Sequence, residues 1–276
     1  MVTVTFVKLG FIGTTILIEA LLDERSSRED LKTRVISSGV RMDDEEAEFV
    51  ANMAKTVESD LYVVISPNAA LSGPKKARKI LRETGKPIIV ISDEPSRKSL
   101  KGLDDEEDMG YIVIYGDPMI SAKTAFLDPV EMAIFNSDVL RVLAVTGAFR
   151  LIHTSIDNVI EQIKNGEKPE LPKIIMNKKR ALEAADIMNP YAYGKAMAAY
   201  EISRNVASLS TEAVFKISDR DEAVPVLTAA HEMIRQAALL ADEAREIEKS
   251  NNTAVRVVHF KSGALKRKTG LYDKFE

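Results

Sequence analysis

The stretch from Leu61 to Ser92, LYVVISPNAALSGPKKARKILRETGKPIIVIS, contains one complete architectural unit. LYVVIS (61–66) and PIIVIS (87–92) are short apolar runs rich in β-branched residues. Between them, GPKKARKILRETG has the polarity of a helix and opens behind turn residues. Apolar runs bounded by turns and separated by a helical stretch indicate a βαβ unit, and with it a parallel sheet. The pattern repeats on both sides. TVTFVKL (3–9), TRVIS (33–37) and YIVIY (111–115) read as further strands. TTILIEALLDERSS, DDEEAEFVANMAKTVES and RKSLKGLDDEEDMG read as the intervening helical segments. The expected fold class is therefore α/β, a mostly parallel sheet with flanking helices. It is Rossmann-like in outline but not classical, because no G-x-G-x-x-G follows the first strand.

Beyond residue 125 the character changes. FLDPVEMAIFNSDVLRVLAVTGAFRLIHTSIDNVIEQIK reads as a long helix, a break at Gly147 and a second helix. NPYAYGKAMAAYEISRNVAS and VPVLTAAHEMIRQAALLADEAREIEKS read as two more, with small residues suited to close packing. AVFKIS (213–218) and AVRVVHF (254–260) are expected to form a minor sheet. The expected organisation is an α/β cofactor-binding domain over 1–125 and a helical region over 126–250. A C-terminal strand and basic arm follow over 251–276.

Composition narrows the function. The chain has 276 residues, a net charge of −4 and no cysteine. That excludes disulfides, thiolate metal sites and a cysteine nucleophile, and it gives no electrostatic footprint for nucleic acid. Lys8, Glu19, Asp23 and Glu24 interrupt the N-terminal apolar segment, so it reads as neither a signal peptide nor a membrane span. A soluble cytoplasmic protein is expected.

Ligands of parallel sheets bind beyond the carboxyl ends of the strands. Here those ends are KLGFIGTT, SSGVRM, SPNAALSGPKK, SDEPS and YGDPM. The G-x-x-G of Gly10 and Gly13 reads either as a phosphate cradle or as a tight turn. Asp117 in GDPM reads as a substrate contact or an Asx turn. In FLDPVEM, Asp128, Pro129 and Glu131 match a capped helix start, a role that does not exclude catalysis. His231 lies at the edge of an apolar helical stripe, as a packed residue or as a catalyst. It is no zinc site, since H-E-M-I-R lacks the second histidine of H-E-x-x-H, and His153 and His259 show no ligand spacing. Lys75, Lys76 and Arg78 read as an anion contact or a solvated helix face.

Several long strings carry a family resemblance: LLDERSSRED, SGVRM, PNAALSGPKKAR, GDPMISAKTAFLDP, FLDPVEMAIFNSDVLRVLAVTGAFR, NPYAYGKAMAAYEI and AAHEMIRQAALLADEAREIEKS. In this order they resemble the F420-dependent methylenetetrahydromethanopterin dehydrogenases over nearly the whole chain. The resemblance implies a cytoplasmic archaeal enzyme of one-carbon metabolism and methanogenesis, assembled as a homohexamer. It implies reversible, direct hydride transfer in a ternary complex between methylene-tetrahydromethanopterin and the deazaflavin coenzyme F420. No metal is implied. Losing hydride from an N–CH2–N carbon leaves an amidinium-like cation, so facing carboxylates stabilise the transition state electrostatically. Asp117, Asp128, Glu131 and His231 are the expected catalytic residues, and Asn136, Glu232 and Arg235 the expected pterin contacts. Gly10, Gly13, Thr14, Ser66, Pro67, Asn68 and Asp93 are the expected deazaflavin contacts. The departures fall in the cofactor loops: Leu9-Gly10-Phe11 stands where the family has Cys-Gly-Asn, Ser92-Asp93-Glu94-Pro95-Ser96 where it has G-D-A-P-G, and Lys123-Thr124-Ala125 where it has an arginine pair. They keep two other readings open: a paralogue using another hydride carrier such as NAD(P), and a non-catalytic pterin-binding protein. The basic run Lys266, Arg267, Lys268 reads as a contact to the cofactor's anionic tail or as a solvated arm.

Overall fold

The computed structural model describes residues 1–24, 26–118 and 128–276. The boundary drawn at 125/126 and the Lys123-Thr124-Ala125 departure lie outside the described residues.

The first region alternates strands and helices: β1 (Val2–Lys8), α1 (Ile18–Leu22), β2 (Leu31–Ser37), α2 (Asp44–Lys55), β3 (Leu61–Ser66), α3 (Ser72–Arg82), β4 (Ile88–Asp93), α4 (Arg97–Lys101) and β5 (Met109–Ile114). Then come α5 (Pro129–Val145), α6 (Ala148–Lys164), β6 (Lys173–Met176), α7 (Lys178–Ala185), α8 (Pro190–Phe215), α9 (Arg220–Ser250), β7 (Arg256–His259) and β8 (Leu265–Lys268). Strands β1 to β6 form one sheet in the order β2-β1-β3-β4-β5-β6, every neighbouring pair parallel. Strands β3, β4 and β5 are buried along their whole length, which is why their sequences are near-continuous apolar runs. The edge strand β2 instead alternates toward solvent. The chain leaves β1 for β2 on one side and returns to β3 on the other. The topological switch point, where such sheets open a ligand crevice, thus lies between the carboxyl ends of β1 and β3.

Three expectations change. Residues 213–215 do not form a strand but finish α8, whose buried positions Tyr200, Ser203, Val206, Ser210 and Ala213 keep helical spacing to the end. A long amphipathic pattern thereby overrides the local β propensity of AVF. A sixth strand, KIIM of β6, pairs with β5 and carries part of the 126–250 segment into the main sheet. It is four residues long, too short to show periodicity. The minor sheet exists with a different partner: β7 pairs antiparallel with β8, drawn from the stretch read as a basic arm. Arg267 and Glu276 exchange backbone hydrogen bonds, and Lys268 lies 4.9 Å over the Phe275 ring, so the tail folds back on its own hairpin.

The break at Gly147 is present, with φ at +85°. Helices α5 and α6 bend there by 66°. No single helix among the described residues is long and apolar enough to cross a membrane. Helices α8 and α9 pack through small buried residues, Ala192, Ala196 and Ala199 on one and Ala237, Ala241 and Ala244 on the other.

Candidate active site

The loops after β1, β2 and β3 close on one another at the switch point. The Gly10 N–H donates to Arg41 O at 3.1 Å. A side chain at Gly10 would start 3.0 Å from Pro67 Cδ and 3.3 Å from Met42 Sδ. At Gly73, the start of α3, a Cβ would fall 2.2 Å from Met42 O. These glycines are demanded by backbone-to-loop packing, before any ligand is considered.

Gly13 and Thr14 have a different job from the one expected. A three-residue 3-10 turn, Gly13–Thr15, follows the first loop. Its amides do not face open space. The Gly13 N–H donates to Asp117 Oδ1 at 2.6 Å, and the Thr14 N–H and Oγ1 donate to Asp117 Oδ2 at 3.0 and 2.8 Å. Asp117 has no solvent exposure. It is an internal acceptor that fixes the first loop to the end of β5, not a free substrate contact; the residues an Asx turn here would involve lie outside the described ones. Burial pushes its carboxyl up to about 6, against the pull of the three donors. A Cβ on Gly13 would meet Val139 Cγ1 at 2.5 Å, so α5 also presses on this turn.

At the ends of β3 and β4 a serine network holds the PNAAL loop. The Ala69 N–H donates to Ser96 Oγ at 2.7 Å and to Ser92 Oγ at 3.1 Å, and Ser92 Oγ donates to Ser66 O at 2.6 Å. Asn68 Oδ1 accepts from the Ala70 N–H at 3.0 Å. Asp93 caps the turn that follows it, accepting from the Glu94 N–H at 2.6 Å, and burial with the Asp117 and Glu94 charges nearby carries its carboxyl well above the ordinary range. Arg78 is neither an anion contact nor part of a solvated face. It is buried, donating to Ala69 O at 2.9 Å and Pro74 O at 3.1 Å from beneath the loop. Lys76 pairs with Glu48 on the surface.

The pterin-side candidates gather around the start of α5. Asp128 is the N-cap, accepting from the Glu131 N–H at 2.8 Å, with Pro129 at the first helical position. The Glu131 side chain reaches across to α9, where its Oε2 lies 3.5 Å from His231 Nδ1. His231 is half-buried against Phe135, ring centroids 4.6 Å apart. Burial lowers its pKa despite the Glu131 charge, which favours the neutral imidazole. Asn136 is buried beside Phe135, whereas Glu232 and Arg235 are exposed on α9. Val139, which touches the Gly13 turn, lies one helical turn beyond Phe135 and Asn136 on α5. The two groups of candidates are thus neighbours along one helix face.

Some participants were not anticipated. Ser203 on α8 donates to Gly116 O at 2.5 Å, and Tyr200 donates to Met176 O at 3.0 Å, pinning α8 to the ends of β5 and β6. The Arg204 guanidinium lies 5.3 Å over the Tyr115 ring. Tyr115 directly precedes GDPM, and that position at a strand end was the available signal. Ser66 Oγ, Tyr115 Oη and Asn136 Oδ1 are buried with no hydrogen-bond partner among the described residues. Buried polar atoms normally have one. Three orphans, one at the end of β3, one just past β5 with β4 between them, and one on α5, leave polar groups suited to a ligand with several hydrogen-bonding groups. A groove of about 700 Å³, lined by Ser155, Asn158, Gln162 and Lys173, lies at the amino end of β6, away from the strand ends that carry these loops.

Fold and site define the class: an α/β protein built on a parallel sheet, with the candidate residues gathered at the carboxyl ends of its strands and where the start of α5 meets α9. Residues 2–276 match the family model described as methylene-5,6,7,8-tetrahydromethanopterin dehydrogenase. The chain belongs to that family. It is 51% identical over 275 residues to the F420-dependent methylenetetrahydromethanopterin dehydrogenase of Archaeoglobus fulgidus, covering 100% of this chain and 99% of the relative. It is 43% identical over 276 residues to the enzyme of the same name from Methanocaldococcus jannaschii, with the same coverage. A solved structure of an F420-dependent methylene-tetrahydromethanopterin dehydrogenase, in complex with methylene-tetrahydromethanopterin and coenzyme F420, superposes with a TM-score of 0.95 at 41% identity, covering 100% of both chains.

Proposed function

We propose that this chain reversibly transfers a hydride between methylene-tetrahydromethanopterin and coenzyme F420, yielding the methenyl pterin. The observation that carries this reading is the full-length superposition on a dehydrogenase solved with both of those ligands. The residues fit the deazaflavin. Ser66 Oγ beside the switch point and Tyr115 Oη just past β5, two strands over, are orphaned among the described residues, and an extended ring with carbonyl and N–H groups supplies the missing partners. When bound, the deazaflavin is the hydride acceptor. Gly10, Gly13, Thr14, Ser66, Pro67, Asn68 and Asp93 form or support its loops. Gly13 and Thr14 act through the Asp117 lock, while the partly exposed Asn68 is placed for direct contact.

On the pterin side, Glu131 supplies negative charge toward the carbon that becomes cationic, and Asp128 fixes Glu131 at the helix start. His231, neutral and braced on Phe135, orients the Glu131 carboxylate. Asn136, Glu232 and Arg235 present hydrogen-bonding groups along α5 and α9. No residue transfers a proton at the reacting carbon; the chain holds two flat rings in contact and stabilises the developing charge. The division into a cofactor-binding part, 1–125, a pterin-binding part, 126–250, and a C-terminal piece, 251–276, follows this assignment. Cytoplasmic location and a homohexamer whose neighbouring subunit completes the cleft belong to the same proposal. Use of NAD(P) and loss of catalysis are not favoured, because the full-length relatives are F420-dependent dehydrogenases by name. Mixing the purified protein with oxidised F420 and methylene pterin, with NAD and NADP in parallel, tests the proposal through the visible absorbance of the deazaflavin.

A further inference from the structure

His153 on α6 and His259 at the end of β7 meet each other and Glu24, which follows α1. The cluster packs around the segment leading into β2, at the amino end of the sheet. One ligand atom from each of the three lies within 4.8 Å of the others. The His259 N–H donates to Glu24 Oε1 at 2.7 Å, and its Nδ1 lies 3.0 Å from Glu24 Oε2. Its Nε2 lies 3.0 Å from Asp157 Oδ1. Asp157 is itself held by Arg28, 3.1 Å away, and Arg28 in turn pairs with Asp30, which Lys164 joins at 2.9 Å. The His153 ring meets the His259 ring edge to face, centroids 4.6 Å apart. His153 Nε2 is buried and has no hydrogen-bond partner among the described residues.

A proton on His259 accounts for only part of this. It satisfies Nδ1 with Glu24 and Nε2 with Asp157 but leaves His153 Nε2 without a hydrogen-bond partner among the described residues. Two imidazoles and a carboxylate are a common donor set for zinc-like cations. A carboxylate on the far nitrogen of a ligating histidine is the usual second support: it fixes the tautomer, leaves the other lone pair for the metal and raises the ligand's basicity. Asp157 stands in that position toward His259. We propose that Glu24, His153 and His259 form a site for a divalent transition-metal ion of the zinc type, clipping the β7–β8 hairpin to α6 and the segment after α1.

Zinc ligands sit about 2.0–2.1 Å from the ion, hence about 3.3 Å from one another, with water in the fourth position. Glu24 is exposed and lies on a loop, so rotation of its side chain closes the set. The three residues are far apart in sequence, so no ligand spacing could reveal them. The site lies at the end of the sheet opposite the candidate active site, which makes its role structural.

The test uses untagged full-length protein, stripped with a chelator and titrated with Co2+, with Zn2+ as competitor. One cobalt per chain with the d–d absorbance of a four-coordinate site is expected, together with a rise in Tm on adding Zn2+. His153→Gln should weaken binding at least about tenfold while leaving the His259–Glu24–Asp157 contacts in place, so it is expected to fold; far-UV circular dichroism checks this. Asp157→Asn should weaken binding about tenfold, as loss of an outer-shell partner does. His231→Gln, which alters the one remaining histidine, should leave the cobalt signal intact. No saturable cobalt signal, or a signal unchanged in His153→Gln, overturns the site. Binding with no change in Tm overturns the clip.

Discussion

The Asp117 carboxylate stands 2.6 Å from the Gly13 amide nitrogen, joining the end of β5 to the turn after β1 across 104 residues of sequence. With the Thr14 contacts it accepts three hydrogen bonds in a site closed to solvent. Asparagine offers one accepting oxygen and turns an NH2 group toward an N–H donor. Asp117→Asn should therefore cost about 1–3 kcal/mol, the penalty for a buried donor left unsatisfied. Urea denaturation at about pH 8 measures it. Because the same turn shapes the cofactor loop, the Michaelis constant for the deazaflavin should rise more than kcat falls.

The same carboxyl gives a pH dependence of defined sign. Burial raises it from 3.8 to about 6 in the folded chain. A carboxyl with a raised folded pKa contributes its stability fully below the unfolded value and loses it as pH rises through the folded one. The stability of the wild type minus that of Asp117→Asn should thus decline between about pH 4 and pH 7, by up to about 3 kcal/mol. A difference that grows with pH contradicts the burial argument.

Gly13 is fixed by contact on two sides. An added Cβ would lie 2.5 Å from Val139 Cγ1 and 2.6 Å from Asp117 Oδ1. Gly13→Ala should destabilise the fold by about 1–3 kcal/mol, as overpacking does, and calorimetric melting measures the loss. A melting temperature equal to that of the wild type would mean α5 yields easily, and the coupling between α5 and the first loop would be lost.

Asp128 and Glu131 separate capping from catalysis. Asp128→Ala removes the N-cap of α5 and should cost about 0.5–2 kcal/mol of stability. Glu131→Gln keeps the shape of a half-exposed side chain, so stability should move by less than about 0.5 kcal/mol. Its kcat should fall at least about tenfold, since a neutral amide no longer faces the developing cation. Near-normal turnover would reduce Glu131 to the second half of a capping box.

The parallel sheet was legible because its central strands are buried on both faces and therefore appear as unbroken apolar runs such as VVIS and IIVIS. The α5 cap was legible because Asp128, Pro129 and Glu131 are a local signal. What escaped was non-local. Asp117 receives its donors from residues more than a hundred positions away, and nothing in GDPM announces that. Arg78 reads as one charge in a basic run, yet the loop above turns it inward to two carbonyls. His153 and His259 have no mutual spacing, and only the packing of the end of β7 against α6 brings them together.

The central claim concerns the hydride and its acceptor. The most direct measurement mixes purified protein with oxidised F420 and methylene-tetrahydromethanopterin and follows the visible absorbance of the deazaflavin, with NAD and NADP replacing F420 in parallel cuvettes. The absorbance should fall at a rate proportional to protein concentration, with no reduction of either nicotinamide. Reduction of NADP with F420 untouched, or no reduction of any acceptor by folded protein, would contradict the account.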